Sequence, residues 1–182
     1  MRFWFGEVGE YGKRHKRWFE KSSGFDAQIR VRFLALYEDI AARRLEHWRR
    51  SAAESLARIV VLDQFSRNLF RNDARAFAAD PIALETAREA LARGIDRALL
   101  PVERQFVYLP FEHSEAIEDQ RTCCALMETL KPYPETSDAQ DWALKHLAVI
   151  ERFGRFPHRN AVLGRASTPQ EVEYLAQPGA GF

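Results

Sequence analysis

Long apolar runs, cysteine and net charge are all scarce in this sequence, and each scarcity removes a class of function. No stretch approaches the ~20 consecutive apolar residues that a membrane-spanning helix needs. The aromatic opening, residues 1–6, has neither the apolar centre nor the small-residue cleavage site of a signal peptide. The expectation is a soluble protein that stays in the cytoplasm, with no membrane partner. Only two cysteines occur, Cys123 and Cys124. Adjacent positions on a helix diverge by about 100°, so the pair reads as free thiols in a reducing compartment, and no second pair exists to complete a thiolate metal site. Lys and Arg number 27 against 26 Asp and Glu, leaving a formal charge of +1. No overall field gathers nucleic acid, so any anion site must be local. HExxH, a paired ExxH, GxSxG and a phosphate-cradling glycine loop are missing too. Their absence removes the common routes to metal hydrolysis, acyl transfer and nucleotide use, and neither metal nor cofactor is expected.

What is present is apolar material at helical spacing. With 46% hydrophobic and 12% aromatic residues in 182, the chain can fill one core and is expected to be a single helical domain over residues 1–182. Period-two alternation is not sustained anywhere, whereas apolar residues recur every three to four positions. The pattern predicts helices at 26–48, 52–70, 81–93, 101–130, 138–153 and 169–176, with shorter turns at 13–19 and 75–79. Pro81 and Pro101 stand at first helical positions, where a missing N–H costs nothing, and Gly94 stands where a left-handed C-terminal residue is wanted. Thr168-Pro169-Gln170-Glu171 is a capping box. Pro110, inside 101–130, is expected to kink or split that helix and to open carbonyls near Phe106. Short loops between successive helices predict a stack of antiparallel helical hairpins.

Three segments carry the candidate chemistry. In residues 59–71 an apolar turn leads into a polar one: Asp63 and Arg67 are four apart in the favourable acid-first order, and Gln64, Asn68 and Arg71 line the next stripe. Such a network either locks helices together or forms part of a site. In residues 108–120, Glu112, Glu115 and Asp119 share one stripe. Like charges so placed repel, so a cationic group should face them. His113 lies on the neighbouring apolar stripe with Val102, Phe106, Leu109, Ile117 and Cys124, and His146 lies with Trp142, Val149, Ile150 and Phe153. Each is either a core histidine satisfied by one hydrogen bond or an inward group of a polar pocket. Residues 152–165 pack Arg152, Arg155, His158, Arg159, Asn160 and Arg165 around Gly154 and Pro157. Arginine without lysine favours bidentate pairing to carboxylate or phosphate over nucleic acid, despite the interleaved Phe153 and Phe156.

The segments LDQFSRNLFR (62–71), YLPFEHSE (108–115) and RFGRFPHRNAVLGR (152–165), with the aromatic opening and Asp80, are together specific. On them the chain resembles a widespread bacterial family known only as domain of unknown function nine-two-four, over nearly its whole length. The resemblance implies an all-α, tetratricopeptide-like fold of stacked hairpins around a groove, and brings no activity, substrate or cofactor. Ser66 stands where the family usually has proline, and Glu112 where methionine is common. The second departure argues against an essential Glu112, whereas His113, Glu115 and Gln120 fit the pattern. Two functions compete. One is a binding protein whose groove holds a small anionic or carboxylate-bearing ligand, or a peptide, through Asp63, Arg67, Asn68, His113, Glu115, Gln120, His146, Arg152, Arg155, His158, Arg159, Asn160 and Arg165. The other is a small-molecule hydrolase with His113 or His158 as general base and Glu115 as a further catalytic candidate.

Overall fold

Helices begin where a side chain can satisfy free backbone N–H groups, or where proline removes one. The structure, a computed structural model, describes residues 1–181. After a single aromatic turn, α1 (Arg2–Phe5), Ser22 accepts from Phe25 N at 3.3 Å and opens α2 (Ser23–Ala41). A reciprocal Ser51–Glu54 box opens α3 (Ala52–Ile59). A π-helical segment (Val60–Phe65) and α4 (Ser66–Leu69) continue from it. Proline stands in the first turns of α5 (Asp80–Ala92) and α6 (Pro101–Glu112). Then come α7 (Ile117–Glu128), α8 (Ala139–Phe153) and α9 (Pro169–Leu175), the last opened by the Thr168–Glu171 capping box. Gly94 and Gly154 take left-handed angles, φ +63 and +68, at the ends of α5 and α8. Among the described residues there is no strand, and no helix is long and apolar enough to cross a membrane.

Neighbours in sequence are neighbours in space: α6 packs on α7, α7 on α8, and α3 on both α5 and α6. The core centres on aromatics. Trp4 and Phe5 from α1 meet Trp18, Phe65 and Phe106 edge-on or stacked, at centroid distances of 5.3–6.2 Å. A smaller cluster, Val149, Ile150 and Phe156, lies at the C-terminal end of α8 against Ile117, Phe153 and Tyr174.

Three expected boundaries are corrected. The helix expected to reach residue 48 ends at Ala41, because Arg43 turns left-handed at φ +58. The chain then folds Leu45 and Trp48 onto the core. The helix expected over 52–70 contains the π segment, which shifts the facing of everything after it. The helix expected over 101–130 is split, but not at Pro110. α6 runs through that proline to Glu112, and the chain leaves helical geometry at residues 113–116. Pro110 costs one hydrogen bond to Phe106 and the helix tolerates it. The break is stabilised instead by Gln120, whose fully buried amide donates to the carbonyls of Glu112 and Ser114 at 2.6 Å each and of Phe111 at 3.3 Å.

Candidate functional site

The π segment carries a carboxylate, that of Asp63, into the core. All six of its residues are buried, and Asp63 is 0% exposed. A carboxylate in that position needs partners on every lone pair. Gln64 Nε2 donates to Oδ2 at 2.6 Å, His113 Nδ1 lies 2.7 Å from Oδ1, and Arg67 Nη2 stands 3.5 Å away. Burial alone would raise the Asp63 pKa, but the charges of His113 and Arg67 and the two short hydrogen bonds outweigh it and hold the carboxyl well below the usual range. Since the carboxylate can only accept, the proton sits on Nδ1 and leaves Nε2 as the basic nitrogen of His113.

Arg67 turns its fork to Asp80 at the start of α5, with bonds of 2.7 and 2.9 Å, and also donates to Ala76 O at 3.1 Å. Burial disfavours its charge, yet Asp63 and Asp80 together push its pKa up. Arg159 arrives from the opposite side, out of the 3₁₀ turn Pro157–Arg159. Its guanidinium carbon lies 4.7 Å from the Phe77 ring centroid and 4.5 Å from that of Phe156. Nη1 donates to His113 O at 3.0 Å and stands 3.7 Å from Asp80 Oδ2. Burial, then repulsion by Arg67, pulls its pKa down to about 10.

Three more titratable groups complete the cluster in neutral form near pH 7. Burial, reinforced by the charge of Asp63, pushes Glu112 up to about 8. Burial pulls His146 down to about 3, against a hydrogen bond from its Nδ1 to Trp142 O at 2.9 Å. Its ring lies 6.4 Å from that of His113, and Nδ1 is 3.6 Å from Glu112 Oε1. Burial and Arg159 lower His158 to about 4. The last described residues also reach this region: Gly181, at φ +89, approaches so closely that a Cβ there would sit 2.9 Å from His158 Cβ. Among the described residues, no group of three or more His, Cys, Asp or Glu is arranged to hold a metal ion.

The structure therefore brings together Asp63, Arg67, His113, His146, His158 and Arg159. It sets the other candidates elsewhere. Asn68 donates to Asp26 at 2.7 Å, beside Arg71, and ties α4 to α2. Gln120 caps α6. Glu115 accepts both nitrogens of Arg165 at 2.7 and 2.9 Å and the Phe156 N–H at 2.8 Å. Arg155 grips the buried Glu171 at 2.6 and 2.7 Å, and Asn160 donates to the same carboxylate at 3.3 Å. Arg152 is exposed and lies over Phe153. A surface cleft of about 600 Å³ touches this shell through Glu115 alone, and its other walls are Ile117, Arg121, Ile150, Glu151 and Gly154. Asp80 and Phe77 belong to the cluster but were not among the sequence candidates. Asp80 precedes proline and reads as helix punctuation, which hides its second role.

With this geometry established, comparison with known proteins is informative. The family model described as a bacterial protein of unknown function (DUF924) matches residues 1–179. The chain belongs to this family. Its fold is shared by a solved structure, the protein of unknown function ATU0120 from Agrobacterium tumefaciens, at 42% identity and a TM-score of 0.82, with 88% of each chain covered. No match was found among curated proteins. The family and the solved relative bring an all-helical fold and no activity, so a functional reading of this DUF924 member rests on the buried cluster itself.

Proposed function

We propose that this protein is a hydrolase-type enzyme acting on a small molecule, with His113 as general base and Asp63 as the group that orients it. The observation that supports this reading is the 2.7 Å contact from His113 Nδ1 to a carboxylate with no solvent exposure. A buried acid fixes the ring and its tautomer, and stabilises the imidazolium that forms when Nε2 takes a proton from water or from a substrate hydroxyl. The neighbours match this task. Glu112 and His146 are pushed in opposite directions, to about 8 and about 3, so neither competes as a charged group near neutrality.

A second reading, a binding protein for a small anionic or carboxylate-bearing ligand or peptide, is favoured by Arg159, which among the described residues only shares Asp80, at 3.7 Å, with Arg67. Arg155 and Arg165 support it less, because Glu171 and Glu115 already occupy their forks. Chromogenic carboxylic and phosphoric esters, assayed with the parent and with His113→Gln and Asp63→Asn, separate the two. The enzyme reading expects turnover that falls about 100-fold or more in His113→Gln, with the circular dichroism spectrum unchanged. Absence of any His113-dependent turnover overturns it and leaves the binding reading standing.

A further inference from the structure

Arg159 is held like an anchor with its hook unused. Its side chain is 8% exposed, and the Phe77 and Phe156 rings on either side fix the guanidinium. Among the described residues its one hydrogen bond runs from Nη1 to His113 O. Asp80 Oδ2, at 3.7 Å, is too far to accept and is already engaged bidentately by Arg67. Nε is buried and, among the described residues, has no hydrogen-bond partner. Two guanidiniums thus share one carboxylate. The one with the poorer share is nine-tenths buried, a costly state for a charge with unmet donors.

We infer that Arg159 is the binding residue for a carboxylate on the substrate, holding it beside His113. This rests on the reading of His113 as the base, since Arg159 grips that residue's own carbonyl and whatever it binds lies next to the imidazole. A fork with free N–H edges between two rings suits a flat, two-oxygen anion, because a carboxylate can lie in the guanidinium plane. A tetrahedral phosphate would have to push oxygens toward the rings. The paired arginines of the same loop make a useful contrast: Arg155 and Arg165 each hold a carboxylate of the chain itself, Glu171 and Glu115, through two short bonds. Arg159 has the same chemistry and, among the described residues, no such resident.

The test is titration of the intact protein with sodium acetate and, separately, with inorganic phosphate at constant ionic strength, read by the Nε–H signals of arginine in nitrogen-15 spectra and by thermal melts. Arg159→Lys identifies the Arg159 signal and keeps the charge without the fork. Acetate is expected to shift that signal saturably, to raise the melting temperature of the parent, and to bind about ten-fold or more weakly to Arg159→Lys and Arg159→Gln. His113→Gln is expected to keep acetate binding, so loss of turnover and loss of the anion site are read separately. The inference is overturned by an acetate response that is equal in the Arg159 variants, by no saturable response, or by tighter binding of phosphate than of acetate.

Discussion

Replacing Glu112 by glutamine should make the protein more stable above neutral pH, because the parent carries a carboxyl that folding keeps from ionising. Glu112 is 5% exposed, and its nearest charged neighbour of consequence is another acid, Asp63. Its folded pKa is raised from the ordinary 4.5 to about 8. Between those values the folded protein holds a proton that the unfolded chain has released, so stability falls as pH rises through the window. At about 1.4 kcal/mol per pH unit, a window of about 3.5 units amounts to about 5 kcal/mol when fully traversed. His146, lowered from 6.5 to about 3, has the opposite slope: it adds stability as pH rises from about 3 to 6.5. His158, lowered from 6.5 to about 4, acts in the same direction, so from about 4.5 to 6.5 the two histidines outweigh Glu112, and above that they no longer oppose its loss. Because His146 and His158 are common to both proteins, the difference between parent and Glu112→Gln isolates the carboxyl. Urea unfolding followed by tryptophan fluorescence at pH 5, 6, 7, 8 and 9 is the assay. The variant is expected to lie within about 1 kcal/mol of the parent at pH 5 and to exceed it by several kcal/mol at pH 8 and above. Parallel stability curves across that range would refute the reasoning, since they would mean that Glu112 ionises freely in the folded protein.

Two further substitutions test the scaffold around the site. Arg67→Ala leaves both Asp63 and Asp80 short of a counter-charge and should cost about 3 kcal/mol or more. Urea unfolding at pH 7 checks it, and a loss below about 1 kcal/mol would mean that Arg159 and His113 suffice. Gln120→Ala frees the carbonyls of Phe111, Glu112 and Ser114 at the end of α6 and should cost about 1–3 kcal/mol. Hydrogen exchange is expected to rise in the last turn of α6, and an unchanged pattern there would reassign the cap.

Helices were legible in the sequence because their signals are local. A threonine three residues before a glutamate, a proline in a first turn and a glycine after a last one act within a few residues, and Thr168, Pro101 and Gly94 all did so. The misplaced boundaries had causes that no local pattern carries. A π turn has no residue signature of its own, and the stop at Ala41 depends on the core accepting Leu45 and Trp48. Pro110 was a true local signal outweighed by packing, since every residue of α6 from Gln105 to Glu112 is buried.

The site was half legible for the same reason. Asp63, Arg67 and His113 announce themselves as polar residues in apolar runs, but which of them meet is decided across fifty residues of chain. The acidic stripe shows how this fails. Drawn on one continuous helix, Glu112, Glu115 and Asp119 demand a single cationic partner. The break at residues 113–116 separates them, and each then finds its own solution. Glu115 takes Arg165, Asp119 takes Arg88, and Glu112, left without a cation, keeps its proton. The same break takes His113 off its expected apolar stripe to Asp63 and opens its carbonyl to Arg159. Four side chains thus change role because the helix ends two residues beyond Pro110. A charge pattern on a helical wheel is only as good as the continuity of the helix, and it is at such a break that residues from different stripes are brought into one buried cluster.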